Sequence, residues 1–296
     1  MSYHITPASA LDLQPVTPPR SGSAGLSACT MLSAAHGSVH TEVAVSELAP
    51  GGSVAGHLHP FEESFHVLGG RPLLNLGGRC YQLRPGDFGF APVGLPHAWS
   101  NHNGKPARWL RVRAPQPRRI GATLGTYASD EVAPPAGGQG RAPDERDPTC
   151  HFVGHFSDDD LAPPGPLAMP GYHGHNVRNI SIRMLVDDIL GAQHHTLFMV
   201  QFAPGTIPGR LPAKVHFHPF EEVYYLLQGQ ARGWLDGEPN DVAAGDLVWT
   251  STNGSHGFVN TGDMPLRWLE VQAPAPPPSG AFFFEDDWRQ LEGEAT

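Results

Sequence analysis

His57, His59 and Glu63 stand in the run His57-Leu58-His59-Pro60-Phe61-Glu62-Glu63, and the same run returns as His216-Phe217-His218-Pro219-Phe220-Glu221-Glu222. A further histidine follows each run at the same distance, His97 in the first copy and His256 in the second. Imidazole and carboxylate at such spacing are nitrogen and oxygen donors for a divalent metal ion. The chain is therefore expected to hold up to two metals, one on His57, His59, Glu63 and His97, the other on His216, His218, Glu222 and His256. A set without sulfur that leaves positions open for water or substrate suits iron, manganese, nickel, copper or zinc, and ligand type alone does not choose among them. Cys29, Cys80 and Cys150 are far apart and form no C-x-x-C pair, so neither a thiolate zinc site nor a disulfide framework is expected.

Elements that could position these donors follow from periodicity. Side chains at i and i+2 of a strand share a face, so His57 points with His59 and His216 with His218. Short alternating runs such as Thr41-Glu42-Val43-Ala44-Val45 and His195-Thr196-Leu197-Phe198-Met199-Val200 lie between turn signals, in a chain of 296 residues with 35 glycines and 31 prolines. That pattern predicts an all-β sandwich or barrel, with only the tail from Glu285 to Leu291 weakly helical. The offset between the two runs also relates Gly70 to Gly229, Gly86 to Gly245 and Asn101 to Asn260. So long a repeat indicates two tandem domains: 1–132, a linker over 133–150 dense in proline and glycine, and 151–296. Gly51 lies six residues before His57 and Gly205 eleven before His216, which predicts a longer loop, carrying Arg210 and Lys214, at the mouth of the second site.

Strand phase then assigns the neighbours of each centre. Phe65 and Trp99 should share the donors' face in the first copy, giving a wholly apolar pocket; Tyr224 and Phe258 take those places in the second. Tyr224 is the leading catalytic candidate, since a phenol can donate a hydrogen bond or a proton. Glu63 and Glu222 are ligands first and bases second. Glu62, Glu221 and His66 point the other way and are expected at the surface. His173, His175, His194 and His195 match no ligand spacing and are expected on a pocket rim or the surface. Phe282-Phe283-Phe284 should pack on a barrel or a partner subunit, and a homo-oligomer is compatible with that.

These residues resemble the cupin superfamily and, in two copies, a bicupin. The first half carries both cupin motifs, with Gly51, His57, His59, Glu63 and Gly70, then Gly86, Pro92, Gly94, His97 and Asn101. The second half keeps His216, His218, Glu222, His256, Gly229, Gly245 and Asn260 but displaces the opening glycine and has Ser251 and Asn253 where the motif has proline and glycine. The resemblance implies two small jelly-roll β-barrels, each with metal near its mouth. The segment Ser181 to Asp188, with Thr196 to Gly205, is similar to the inter-barrel region of ureidoglycine aminohydrolases, whose metal motif is different.

A formal charge of −10 without a cluster of Lys or Arg argues against nucleic acid. The start of the chain lacks a signal-peptide pattern and no run is long enough to cross a bilayer, so a cytoplasmic protein is expected. Three functional classes fit the donors. The leading one is an oxygen-dependent dioxygenase acting on a small organic molecule such as an enol or catechol. The second is a redox-neutral metal-dependent hydrolase or lyase, and the third a non-catalytic binding bicupin, against which two intact donor sets count.

Overall fold

A computed structural model describes residues 2–16, 22–118, 125–147, 150–161, 167–169, 171–174, 180–204 and 215–284. Among these, strands dominate, joined by tight turns and a few single-turn 3-10 segments such as Ala34–His36. The fold is all-β, two jelly-roll barrels in one chain. His175, Gly205, Arg210, Lys214 and the tail beyond Phe284 lie outside the described residues.

In the first barrel one curled sheet runs through Val153–His155, Asp87–Ala91, Glu62–Gly69, Ala107–Ala114, Glu42–Leu58, His97–Ser100, Leu73–Leu76 and Arg79–Gln82. Glu42–Leu58 serves two walls. Its first part pairs with Ala107–Ala114, Val45 opposite Leu110, and its last part with His97–Ser100, His57 opposite His97. The bend between them falls at Gly51, whose φ of 74° is a left-handed conformation that favours glycine. Inside, Phe65, Val67, Leu74, Trp99 and Trp109 form the core, the two indoles stacked with centroids 4.6 Å apart.

The second barrel is built from two sheets. One is ordered Tyr3–Thr6, Leu247–Thr250, Glu221–Gln228, Leu266–Ala273, Thr196–Phe202, Ile180–Val186; the other is ordered Glu238–Ala243, Gln230–Leu235, His256–Asn260, His216–Phe217, Phe283–Phe284. Its core contains Phe198, Phe202, Tyr224, Phe258, Trp268 and Phe282. The tail therefore packs where its three phenylalanines are expected to pack, with Phe283 half exposed and its neighbours buried.

The compact units interleave along the sequence. One gathers Met1–Ala10, Asp159–Met184 and His195–Thr296; the other gathers Leu11–Asp158 and Leu185–His194. Tyr3–Thr6 completes the second barrel's sheet, Ile5 opposite Val248, while Val153–His155 completes the first barrel's sheet, Val153 opposite Gly89. Composition cannot say which sheet an edge strand will join, because strand pairing is set by the partner.

The back of the strand Glu62–Gly69 departs from expectation. Glu62, Ser64 and His66 are all buried, as is Glu221 in the second barrel. Alternation correctly turns them away from the donors, but this wall is covered on its outer side too. Glu62 is satisfied by the backbone N–H groups of Gln193 and His194, at 2.7 and 3.0 Å. His195 is likewise buried, whereas His194 is exposed.

His66 is held neutral. Burial, with His155 nearby, lowers its pKa from 6.5 to about 4, and neither ring nitrogen has a hydrogen-bond partner. Between those two values the unfolded chain binds a proton that the folded chain refuses, so stability falls as pH drops through that window. His66 alone accounts for about 3 kcal/mol of the fall. His57, lowered to about 3, acts in the same direction. Chemical denaturation of metal-free parent and His66→Leu at pH 7 and pH 4 should show the variant losing less stability by roughly that amount; equal losses would refute the assignment.

Candidate metal centres

Each donor set is delivered by the ends of three strands and fixed from behind. In the first barrel His57 ends the long strand, His59 follows it, Glu63 opens the next strand and His97 opens another. The Nδ1 atoms of His57 and His97 face the carbonyls of Ala55 and Leu95 at 2.9 and 3.1 Å, and His59 Nδ1 faces the Thr126 hydroxyl at 3.2 Å. The carbonyls put the hydrogen of His57 and His97 on Nδ1 and leave their Nε2 lone pairs to point inward, and the Thr126 hydroxyl can accept from His59 Nδ1 in the same way. The Phe61 ring stacks on His59 at 4.6 Å, which explains the phenylalanine within the repeated run: it holds a ligand ring flat.

The second barrel repeats this support. His218 Nδ1 and His256 Nδ1 face the carbonyls of Phe220 and Gly254 at 2.8 and 2.9 Å, and Phe220 stacks on His218 at 3.9 Å. Replacing glycine by asparagine in the turn before His256 leaves its geometry intact. Asn253 adopts φ 63° where Gly94 has 78°, and asparagine is among the few residues that visit this region. Each donates its backbone N–H to the carbonyl of the preceding ligand, Gly94 to His59 and Asn253 to His218, both at 2.8 Å.

Donor atoms of His216, His218, Glu222 and His256 all lie within 4.8 Å of one another, and so do those of His57, His59 and His97. Nε2 of His59 and His97 is buried without a hydrogen-bond partner, and buried His218 Nε2 faces Glu222 Oε2 at 2.9 Å. Buried orphan lone pairs converging on one point are costly unless a cation completes them, so the residues fit a divalent metal in both barrels.

Glu63 is not among the mutually close donors of the first set, although its Oε1 lies 3.7 Å from His97 Nε2. Its Oε2 is 2.7 Å from Arg113 Nε and 3.9 Å from Arg111 Nε, against 3.4 Å to His59 Nε2. Burial would raise this carboxyl, but Arg113 and then His97 hold it well below the usual range. Burial and Arg113 in turn push Arg111 down to about 10. The expected wholly apolar first pocket is corrected here: Phe65 and Trp99 do meet edge-on at 5.0 Å, but two guanidinium groups share their space. They were missed because they sit on the strand Ala107–Ala114, beyond both sequence motifs.

Glu222 has other company. Its Oε2 lies 2.9 Å from His218 Nε2 and 3.0 Å from His256 Nε2 and also accepts the Tyr224 hydroxyl, while its Oε1 accepts Gln272 Nε2 at 2.8 Å. Although burial opposes it, the imidazoles of His218 and His256 keep Glu222 ionised, well below the usual range. Burial, then the Glu222 charge, raises Glu270 far above the carboxylate range, and Glu270 Oε2 accepts the Trp268 indole N–H at 2.8 Å. The same two causes lift the Tyr224 phenol well above 10. A cavity of about 450 Å³, counting its open mouth, is lined by His216, Glu222, Tyr224, His256, Phe258 and Glu270 among others. The sequence contained a signal for Glu270 and Gln272: the repeat offset carries Arg111 and Arg113 onto them.

Comparison with known proteins follows this geometry. The family model described as "Cupin domain" matches residues 44–113 and 198–272. The chain is 25% identical over 221 residues to quercetin 2,3-dioxygenase of Bacillus subtilis (strain 168), covering 68% of this chain and 64% of that one. It is 34% identical over 71 residues to the oxalate-binding protein of Thermotoga maritima, covering 24% and 59% respectively. The chain thus spans less than two thirds of these curated relatives. Among solved structures, oxalate decarboxylase of Lactobacillus farciminis in its formate complex superposes with a TM-score of 0.62 at 17% identity, covering 98% of this chain and 92% of that one.

Proposed function

The chain is a bicupin of the cupin superfamily, and we propose that it is a metal-dependent dioxygenase acting on a small organic molecule, with its reaction centre in the second barrel. The observation that carries this reading is the cavity lined by His216, Glu222 and His256, where aromatic walls meet two protonated groups, Tyr224 and Glu270. The likeness to a quercetin dioxygenase supports the reaction class.

When bound, a divalent metal supplies Lewis acidity toward substrate oxygen and, for a redox-active ion, a path for electrons to dioxygen. The chain's own residues do the rest. Phe202, Phe258 and Trp268 exclude water and offer ring faces to an unsaturated substrate. Tyr224, neutral at physiological pH, holds a proton on its oxygen beside Glu222, from which it can hydrogen-bond a substrate oxygen. Glu222, ionised, is the group that can accept a proton from substrate once the phenol turns to the substrate oxygen. Arg113 holds Glu63 by Oε2 at 2.7 Å, whereas among the described residues no cationic side chain of Lys or Arg reaches Glu222, so Glu222 has the stronger claim to act as base.

Glu270 favours the second reading, a redox-neutral hydrolase or lyase, because a protonated carboxyl in the cavity can serve as general acid without oxygen. Oxygen-electrode measurements distinguish the two. Protein stripped with chelator and reloaded with Fe(II), Mn(II), Ni(II), Cu(II) or Zn(II) is offered enols and catechols; uptake of one O2 per substrate consumed, with both atoms in product, is expected with a redox-active metal. Conversion without oxygen uptake would favour the second reading, and binding without conversion would leave a binding bicupin.

A further inference from the structure

The two donor sets differ at one register position on the strands Ala107–Ala114 and Leu266–Ala273. Arg113 lies opposite Glu63 and Gln272 lies opposite Glu222. We infer that this exchange makes the two centres unequal: Arg113 keeps Glu63 out of the first donor set, leaving a weaker three-histidine site, whereas Gln272 leaves Glu222 free to complete the second. The inference rests on the reading that both barrels take a divalent metal.

A buried carboxylate has to be balanced by positive charge. In the first barrel the protein supplies it. Arg113 Nε binds Glu63 Oε2 at 2.7 Å, its Nη1 reaches Glu42 at 3.3 Å, and Arg111 lies 3.9 Å from both carboxylates. Two acids and two guanidinium groups therefore form a closed network. An incoming dication would have only Oε1 of Glu63, 3.7 Å from His97 Nε2, to gain while Arg113 keeps Oε2, and would sit beside two positive charges.

In the second barrel these positions are neutral or acidic. Gln272 donates to only one oxygen of Glu222, and its own Oε1 lies 3.5 Å from the Thr196 hydroxyl, on the strand that corresponds to Glu42's. At the position of Arg111 stands Glu270. Among the described residues no guanidinium or ammonium group reaches Glu222. Its charge faces His218 and His256, whose Nε2 lone pairs suit a metal better than a proton shared with the acid. Donor atoms reflect the difference: four residues fall within 4.8 Å of one another in the second barrel, three in the first.

Arg113 is thus a positioning residue, acting through Glu63. Co(II) is a suitable probe, because its visible bands report coordination. Chelator-stripped full-length chain with His57 and His59 both replaced by alanine isolates the second centre; His216→Ala with His218→Ala isolates the first. Calorimetry should find the first centre weaker by about tenfold or more. Introducing Arg113→Gln into the chain with only the first centre should tighten it by a similar factor and move its Co(II) spectrum toward that of the second, while Arg113→Lys should leave both unchanged. Equal affinities of the isolated centres, in chains that keep Arg113, would overturn the inference even if the glutamine variant failed to fold. Failure of the isolated second centre to bind Co(II) would instead overturn the metal reading itself.

Discussion

Replacing His216 and His218 together by alanine is expected to remove one metal equivalent and to lower kcat/KM by at least about 10³. The loss follows from geometry. These rings place their donor atoms within 4.8 Å of Glu222, with backbone support on His218, and without them ionised Glu222 has only His256 and neutral partners. The same substitution at His57 and His59 should remove the other equivalent with a much smaller effect on turnover. Metal content by mass spectrometry and steady-state kinetics on the two variants, side by side, check both statements. The second-barrel variant should also lose the stabilisation that metal binding confers, about 2.7 kcal/mol when free metal stands at a hundred times its dissociation constant. Equal kinetic effects from the two pairs would remove the reason to place the reaction in the second barrel.

Much of this site is legible in the sequence because its parts are local. His57, His59 and Glu63 lie within one run, and strand alternation fixes their faces. His97 and His256 follow by repeat offset, as do Phe65 and Tyr224. What could not be read depends on partners far along the chain. Arg111 and Arg113 acquire their role only when Ala107–Ala114 lies against Glu62–Gly69, with Arg113 opposite Glu63. Phe282 enters the second cavity because Phe283–Phe284 pairs with His216–Phe217. The burial of Glu62 and His66 has the same origin: alternation says which way a side chain points, not whether that side is covered. Tyr3–Thr6 gives no hint in its own residues that it joins the second barrel's sheet.

Tyr224→Phe is the sharpest test of how the second centre works. Position 224 corresponds to Phe65 in the first barrel, so the change copies a side chain the fold already tolerates at that place. Tyr224 packs against Phe258 and Trp268 with centroids 4.8 and 5.3 Å away, and a phenylalanine ring keeps both contacts. Glu222 loses one donor but retains Gln272, so the cost in stability should be about 1 kcal/mol. Metal affinity and the Co(II) spectrum should be nearly unchanged, because the phenol is not among the donors. The effect belongs in kcat, with a fall of about 10² to 10³ and little change in KM, as expected when a proton donor for the reacting oxygen is removed. Burial and the adjacent carboxylates hold the phenol above its ordinary value of 10, so below that pH its proton is in place and the parent's rate should show no loss of this donor. A variant with parental kcat would leave Tyr224 as a wall of the cavity and pass the acid role to Glu270.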